Sequence, residues 1–184
     1  LTDIDLGSVT YVSLHLRPDD ARECFGCRPH DNPIMLAYEI VTTIRNGGRG
    51  RVAWHDGKPA AIVGFAEYWP GTWQVILLGT PDFRAVAIHC LRWIRETAAD
   101  LIDNHGGRRL QCDSREDHHD AHLFLTGVGA IREGTMKAYG KDGADYIRFV
   151  WLAGQNDRFI RKDQAHVLRL NAERPQAHAA PDAA

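Results

Sequence analysis

The chain has 184 residues, of which 44% are hydrophobic, enough for one well-buried domain but too short for two large ones. Its formal net charge is −2 with histidine neutral, so no overall basic field attracts nucleic acid, although ten histidines would make the protein cationic in mild acid. No apolar run approaches the roughly 20 residues that cross a bilayer, and the first residues lack the basic and apolar regions of a signal peptide. We therefore expect one domain without nucleic-acid or membrane partners.

The first third of the chain is predicted to form a strand, two helices and a hairpin. Apolar and polar residues alternate over Thr10 to Leu16, which predicts an opening strand. A turn and helix cap precede a short helix over Asp19 to Phe25, and Pro33 opens a second helix that ends at an Asn-Gly-Gly sequence. Arg51 to Phe65 has a period of two on both sides of an Asp-Gly pair, which predicts a hairpin.

The centre of the chain is predicted to be a strand that leads into a long helix through a tight turn. The apolar run Val75 to Leu78 stops at a Gly-Thr-Pro-Asp sequence, and from Phe83 the apolar residues have helical spacing. Thr80 and Asp82 can accept hydrogen bonds from the first amides of this helix. The remaining first-turn amides can bind an anion, which predicts a ligand site at the turn.

The rest of the chain is predicted to add a strand, a short helix and two final strands. Their expected ranges are Arg109 to Asp113, Asp117 to Thr126, Ile131 to Tyr139 and Tyr146 to Leu152. Residues 153–184 are predicted to be a C-terminal extension, compatible with a helix over 159–170 that is followed by a disordered tail.

Two cysteines and a histidine form a first group of potential metal ligands. Cys24 and Cys27, followed by His30, have a spacing that occurs in zinc and redox sites. No second pair follows at zinc-finger spacing, so structural cysteines are the favoured interpretation, with metal and redox roles as alternatives.

A second group of polar residues lies in and before the short helix. His118 and His122 are one helical turn apart and could share a divalent metal with Asp113 or Asp117. An exposed polar helix face and a contact with substrate or cofactor are the alternatives, and Asp near a helix start is also favoured by the helix dipole. We predict no metal site.

The predicted order of elements resembles the GNAT superfamily, the Gcn5-related N-acetyltransferases, over roughly residues 12–152. Leu14 to Asp20 is similar to the opening strand and first helix cap of that family. The last helix of the family carries Asn-x-x-Ala, a Tyr four residues later and a Gly four residues after that; the corresponding residues here are His118, Ala121, Leu125 and Gly129. The resemblance implies a mixed α/β (α+β) fold over residues 1–152, with a mostly antiparallel twisted sheet of about six to seven strands and helices on both faces.

Within this superfamily, some residues resemble the small internal virion protein of T-seven-like podophages, which is also described as an acetyltransferase. The similar residues are the pairs Phe124-Leu125 and Gly129-Ala130, with Trp73 before and Trp93 within the long helix. This resemblance implies a phage-encoded protein in the host cytoplasm or the virion, and otherwise a cytoplasmic one. It also implies a virion or host protein as a partner.

The resemblance to GNAT enzymes implies transfer of an acetyl group from acetyl-coenzyme A (acetyl-CoA) to an amine, with the acceptor left open. The implied cofactor contacts lie on the central strand, in the turn after it and at the family Asn position: Leu77, Leu78, Gly79, Thr80, Asp82, Phe83, Arg84 and His118. The glycine-rich phosphate loop of the family is absent, and its backbone freedom is lost with it. The charge of Arg84 could partly replace that loop, whereas Asp82 would repel a phosphate.

Acetyl transfer to an amine also needs a base for the amine and an acid for the leaving thiolate. Glu67 and then Asp113 are the predicted bases, although a solvated charge and a helix cap are the simpler roles for them. Leu125 replaces the tyrosine that serves as the acid in the family, which leaves Tyr139 and Tyr146 as alternatives. A second hypothesis follows from these losses: a structural protein of the virion that keeps the fold without the chemistry.

Overall fold

A seven-stranded sheet separates two groups of helices in the computed structural model, which describes residues 1–155. In chain order the elements are β1 (Thr2–Asp3), α1 (Leu6–Leu14), α2 (Pro18–Gly26), α3 (Pro33–Arg45), β2 (Arg49–His55), β3 (Lys58–Trp69), β4 (Thr72–Gly79), α4 (Phe83–Asn104), β5 (Arg109–Arg115), α5 (His119–Val128), β6 (Ile131–Met136) and β7 (Tyr146–Leu152). The strand order is β1-β2-β3-β4-β5-β7-β6, and β4 and β5 are parallel while all other neighbours are antiparallel. The predicted mixed, mostly antiparallel sheet with helices on both faces is therefore confirmed.

Each face of the sheet has its own hydrophobic core. Helices α4 and α5 pack on one face, where the predicted apolar stripe of α4 is buried, including Val86, Cys90, Ile94 and Leu101. Helices α1, α2 and α3 pack on the other face, over side chains such as Ile62. Within residues 1–155, no helix has both the length and the hydropathy needed to cross a bilayer.

The opening segment differs from its prediction, because Thr10 to Leu16 forms the end of α1 and the loop after it rather than a strand. Asp5 caps α1 by accepting a hydrogen bond from the amide of Ser8 at 2.9 Å. Val9 and Val12, three residues apart, are both fully buried against α3 and β3, which is helical and not alternating spacing. The alternation over this short window is misleading because the cap that starts the helix lies upstream of it.

Most other predicted elements are present, with boundaries that move by a few residues. The helix starts at Pro33 and Phe83 coincide with the predicted ones, and the hairpin strands β2 and β3 extend beyond their predicted ends. The final hairpin is shorter than predicted because β6 ends at Met136. The helix predicted over 159–170 and the predicted tail lie outside the described residues.

The sheet is interrupted between β4 and β5. These strands pair only at Thr72–Arg109, Trp73–Leu110 and Gln74–Gln111, whereas β4 stays paired with β3 as far as Gly79 and β5 stays paired with β7 as far as Arg115. Beyond Gln74–Gln111 the two strands therefore separate. We call the space between 75–79 of β4 and 112–115 of β5 the wedge.

Substitution of Gly26, at the end of α2, tests how closely this helix packs on the sheet. An added Cβ on Gly26 would clash with the hydroxyl group of Tyr146, a fully buried residue of β7 whose hydroxyl donates to the carbonyl oxygen of Glu23 at 2.9 Å. We expect Gly26→Ala to lower the free energy of unfolding by about 1–3 kcal/mol, measured by urea denaturation.

Gly127 provides the matched control, since it lies inside α5 and an added Cβ there meets no atom within 4 Å. We expect Gly127→Ala to raise the free energy of unfolding by about 0.5–1 kcal/mol, because alanine costs less conformational entropy in a helix. Similar effects of the two substitutions would show that α2 does not pack against Tyr146 as described.

Candidate functional site

A cavity of about 500 Å³ occupies the wedge and reaches both faces of the sheet. On the face of α4 and α5 its walls include Phe83, Ala121 and Phe124. On the face of α2 and α3 they include Cys27, Glu39, Thr43 and Tyr68. The volume lies within the usual range for small-molecule sites, about 300–1,000 Å³.

The structure brings together only some of the predicted cofactor residues. Leu77, Leu78, Phe83 and His118 line the cavity. Thr80 is buried and faces the hairpin instead: its hydroxyl donates to the carbonyl oxygen of Ala60 at 3.1 Å. These four cavity residues therefore form the part of the predicted set that a bound molecule would touch.

The two predicted charged contacts lie at the rim of the site. Asp82 is exposed at the start of α4, and its carboxylate makes no capping hydrogen bond. Arg84 has 81% of its side chain exposed, and its guanidinium lies 3.7 Å from the carboxylate of Asp120 at the start of α5. The guanidinium of Arg84 is thus near the point where the two helices begin and is open to solvent beside its partner Asp120.

The end of β4 is covered by α2. The amide of Gly79, a predicted cofactor contact, donates to a carboxylate oxygen of Asp20 at 2.8 Å. Arg17 donates to both carboxylate oxygens of Asp20 at 2.8 and 2.9 Å, and its guanidinium lies 4.5 Å from the centre of the Phe83 ring. Burial raises the pKa of Asp20, although Arg17 and the Gly79 amide oppose this. The backbone donor that was predicted for a cofactor is therefore already used.

His118 joins α5 to α2 inside the protein. It is only 3% exposed, and its Nδ1 lies 3.0 Å from a carboxylate oxygen of Glu23, while its Nε2 lies 3.5 Å from Asp20. The same oxygen of Glu23 accepts hydrogen bonds from the hydroxyl of Ser114 and, at 2.8 Å, from the amide of Arg115. We call Arg17, Asp20, Glu23 and His118 the buried charge cluster.

The charge state of His118 reflects two opposing effects. Burial disfavours the charged imidazole, but the hydrogen bond to Glu23 and the charges of Glu23 and Asp20 outweigh burial and raise the pKa of His118 above its ordinary value of 6.5. The imidazolium is thus favoured inside the cluster.

Sequence reasoning missed Asp20 and Glu23 as site residues, although their spacing of three residues places them on one face of a helix.

The two predicted bases lie in different places. Glu67 is exposed outside the cavity, next to an irregularity in β3, and its carboxylate accepts a hydrogen bond from the amide of Gly71 in the following turn at 2.9 Å. Asp113 lines the cavity, but Arg148 donates to both of its oxygens, at 2.7 and 2.8 Å. The position of Glu67 does not support a catalytic role, whereas Asp113 reaches the site as one half of an ion pair.

The tyrosines proposed as alternatives to the missing acid both line the cavity. Tyr146 is fully buried and its hydroxyl is bound to the carbonyl oxygen of Glu23. Tyr139 is 48% exposed, and burial of the remainder raises its pKa. Leu125, at the position of the family tyrosine, is 7% exposed and also lines the cavity. Tyr139 is therefore the more accessible hydroxyl.

The potential metal ligands do not converge in the part of the chain that the structure describes. Within residues 1–155, no group of three His, Cys, Asp or Glu side chains is placed to hold a metal ion. The Nε2 atom of His122 lies 2.8 Å from the carbonyl oxygen of Arg115, and Arg28 donates to the sulfur of Cys24 at 3.0 Å. His30 lies against Glu39 at 2.8 Å.

Comparison with known proteins identifies the fold. No protein-family model matches the sequence, and no curated protein matches it significantly. Solved structures do match: an N-acetyltransferase from Staphylococcus aureus Mu50 has a TM-score of 0.65 at 15% identity, covering 82% of this chain and 96% of its own.

Two further matches were solved with the cofactor. The GNAT superfamily phosphinothricin acetyltransferase from Sinorhizobium meliloti, in complex with acetyl-CoA, has a TM-score of 0.64 at 15% identity and covers 84% of this chain and 88% of its own. The ribosomal L7/L12 alpha-N-protein acetyltransferase RimL, in complex with coenzyme A, has a TM-score of 0.62 at 12% identity and covers 83% and 92%. The fold of this chain is the GNAT fold, which confirms the fold that the resemblance implied. At these identities the likeness establishes the fold, and the activity has to be argued from the site.

The cysteines provide a chemical test of the cavity. Cys27 is exposed, whereas Cys24, Cys90 and Cys112 are buried, although Cys24 and Cys112 also line the cavity. Burial raises the pKa of Cys24 to about 11 and that of Cys90 to about 12, and it also raises the pKa of Cys112 and of Cys27, so the expected difference in reactivity rests on exposure. We expect iodoacetamide to modify Cys27 at least about tenfold faster than the other three in the native protein, measured by peptide mass spectrometry.

Two further measurements complete this test. Cys27→Ser should remove the fast phase of modification. A molecule that fills the cavity should slow modification of Cys27 in the wild-type protein. Rapid modification of Cys112 would contradict the packing described here.

Proposed function

We propose that the chain binds acetyl-CoA in the wedge and transfers the acetyl group to an amine. The observation that carries this proposal is the separation of β4 from β5 beyond Gln74–Gln111, which leaves one edge of β4 facing a cavity of about 500 Å³. An unpaired strand edge offers alternating amide and carbonyl groups, and an extended arm with its own amides can pair with them as an added strand would. The pantetheine arm of coenzyme A has this character.

The residues of the wedge fit the arm of the cofactor better than its phosphates. Leu77, Leu78 and Phe83 provide an apolar lining for the arm. The Gly79 amide is bonded to Asp20, and the amides of Phe83 and Ala85 are bonded to the carbonyl oxygens of Thr80 and Asp82. Phosphates would therefore rely mainly on Arg84. Bound acetyl-CoA would supply an activated acyl group, and a backbone amide of β4 is the donor available to its carbonyl oxygen.

An attacking amine must lose a proton, and Asp113 is the predicted base that reaches the cavity. Both of its carboxylate oxygens accept hydrogen bonds from Arg148, so proton transfer to Asp113 competes with this ion pair. Tyr139 is the hydroxyl available to return a proton to the thiolate. We propose an amine of a virion or host protein as the acceptor, in the host cytoplasm or the virion.

A second candidate function is a structural protein of a podophage virion that keeps the fold without the chemistry. The specific observation that favours it is the contact between Asp20 and Gly79, because the chain itself occupies a backbone donor at the end of the wedge. The replacement of the family tyrosine by Leu125 supports the same candidate.

Calorimetric titration separates the two candidates. Micromolar binding of acetyl-CoA, followed by acetylation of an amine panel, supports the enzyme. Absence of binding at millimolar acetyl-CoA by a folded protein supports the structural role. Adenosine diphosphate serves as the control ligand that lacks the pantetheine arm.

Filling the wedge tests where the cofactor binds. Ala121 lines the cavity from α5, and Leu123 lies two residues further on in the same helix with 61% exposure. We expect Ala121→Phe to weaken acetyl-CoA binding at least about tenfold by occupying the space of the arm, measured by calorimetry. Leu123→Phe should bind as the wild-type protein does; equal affinities in all three proteins would place the cofactor elsewhere.

Arg84 tests the phosphate contact. We expect Arg84→Ala to weaken acetyl-CoA binding by about threefold to tenfold, with a smaller effect at high salt because exposed charges are screened. Arg45 is an exposed arginine at the end of α3 and lies outside the wedge, so Arg45→Ala should leave the affinity unchanged. An unchanged affinity of Arg84→Ala at low salt would remove this assignment.

A further inference from the structure

We propose that protonated His118 fixes the width of the wedge, and that loss of this proton weakens the binding of an anionic thioester carrier. The statement about the carrier rests on the function proposed above. The statement about the wedge rests on the contacts of α2 alone and can be tested without any ligand.

Helix α2 crosses the wedge and is bonded to both of its sides. On one side Asp20 accepts a hydrogen bond from the amide of Gly79 at the end of β4. On the other side Glu23, one turn further along α2, accepts hydrogen bonds from the hydroxyl of Ser114 and the amide of Arg115 at the end of β5. The two carboxylates of α2 therefore determine how far apart the strand ends lie.

His118 stands between these two carboxylates. Its ring nitrogens lie 3.0 Å from Glu23 and 3.5 Å from Asp20, and the side chain lines the cavity. With the imidazole protonated, the charges of the buried charge cluster sum to zero, since Arg17 and His118 balance Asp20 and Glu23. Without this proton the cluster carries a net negative charge inside the protein, and the two carboxylates lose the cation between them.

This change in charge acts on both the wedge and its ligand. Without the cation, the repulsion between the Asp20 and Glu23 carboxylates is no longer offset, which favours displacement of one carboxylate from its strand-end amide. The net negative charge also repels the phosphates of a carrier that enters beside His118, and Coulomb interactions near a protein surface are large enough to change an affinity by about tenfold.

The other charged groups around His118 are paired with one another. Asp19 pairs with Arg22 within α2. Arg115 of β5 pairs with Asp117 and with Asp142 in the loop after β6. Arg84 of α4 pairs with Asp120 of α5. His122, one turn further along α5, has its pKa lowered by burial and remains neutral above its ordinary value of 6.5. His118 is therefore the buried group whose loss of a proton above pH 6.5 changes the charge between Asp20 and Glu23.

The sign of the pH effect follows from the direction of the shift. The pKa of His118 is raised in the folded protein, so its contribution to stability is complete below the unfolded value near 6.5. This contribution disappears as the pH rises through the folded pKa. We therefore expect the wedge to be tightly closed at pH values below this transition.

The first experiment measures acetyl-CoA affinity as a function of pH. We expect the affinity of the wild-type protein to fall about tenfold from about pH 6 to about pH 9. The affinity of His118→Gln should change with pH only because the ligand itself titrates. This variant therefore measures the contribution of the ligand. The matched control His119→Gln removes the exposed neighbouring imidazole and should follow the wild-type profile. A wild-type profile that matches His118→Gln would overturn the proposal for the carrier.

A second variant separates charge from packing. In Glu23→Gln one oxygen can still accept hydrogen bonds from Ser114 and the amide of Arg115, but the negative charge beside His118 is gone. The midpoint of the affinity transition should therefore move to lower pH, while circular dichroism shows an unchanged fold. An unshifted midpoint would show that another group titrates.

The third experiment needs no ligand. Hydrogen exchange of peptides that contain residues 79–84 and 112–118, corrected for intrinsic rates, should show protection that falls above pH 6.5 in the wild-type protein and stays low in His118→Gln. Equal protection in the two proteins at every pH would overturn the role of His118 in the wedge. If acetyl-CoA does not bind at any pH, the proposed function fails. Hydrogen exchange would still show whether His118 holds the two strand ends in place.

Discussion

The short parallel pairing of β4 and β5 is the constraint on which the rest of the structure depends. Three residue pairs, from Thr72–Arg109 to Gln74–Gln111, join two halves of the sheet that are otherwise antiparallel. Each strand then follows its own neighbour, β3 or β7, and a twisted sheet that loses one ladder has to open along that line. The opening creates the cavity and the free strand edge, and it leaves the ends of both strands to be stabilised by other elements.

Helix α2 provides that stabilisation at a cost to the site. Asp20 and Glu23 accept hydrogen bonds from backbone amides at both strand ends, which would otherwise be buried without partners. These carboxylates require cations, and Arg17 and His118 supply them. The same contacts occupy the Gly79 amide, so the groups that hold the wedge together also restrict what can bind at its end. One cluster of charges therefore both stabilises the two strand ends and occupies a backbone donor at the end of β4.

The fold and the proposed chemistry rest on different evidence. Structures at 12% to 15% identity share the fold over more than four-fifths of the chain, because backbone pairing and buried apolar faces can be kept by many sequences. The chemistry depends on a few side chains, and several of these differ from the family pattern. Asp113 is paired with Arg148, and Leu125 stands where a tyrosine would donate a proton. The free edge of β4 is the feature that remains available for an acyl carrier.

The sequence by itself determined the elements whose signals are local. The stripe of α4, the helix start at Pro33, the turn at Gly57 and the apolar strands near the centre of the chain all follow from periodicity and backbone preference within about 15 residues. The order of these elements indicated the resemblance to the GNAT fold, and that resemblance implied the cofactor contact at Leu77. The local signals were misleading in α1, where the cap that starts the helix lies outside the alternating window.

Only the tertiary structure decided which polar side chains meet. Glu67 faces a turn rather than the cavity, Asp113 pairs with a residue 35 positions away, and Glu23 contacts His118 across 95 positions. A carboxylate has the same local signal whether it is solvated, paired or buried, because its role depends on the distant strand or helix packed against it. The order of elements could thus be predicted from periodicity and the architecture from the resemblance to the GNAT family, whereas the site required the arrangement of α2, β5 and α5 in space.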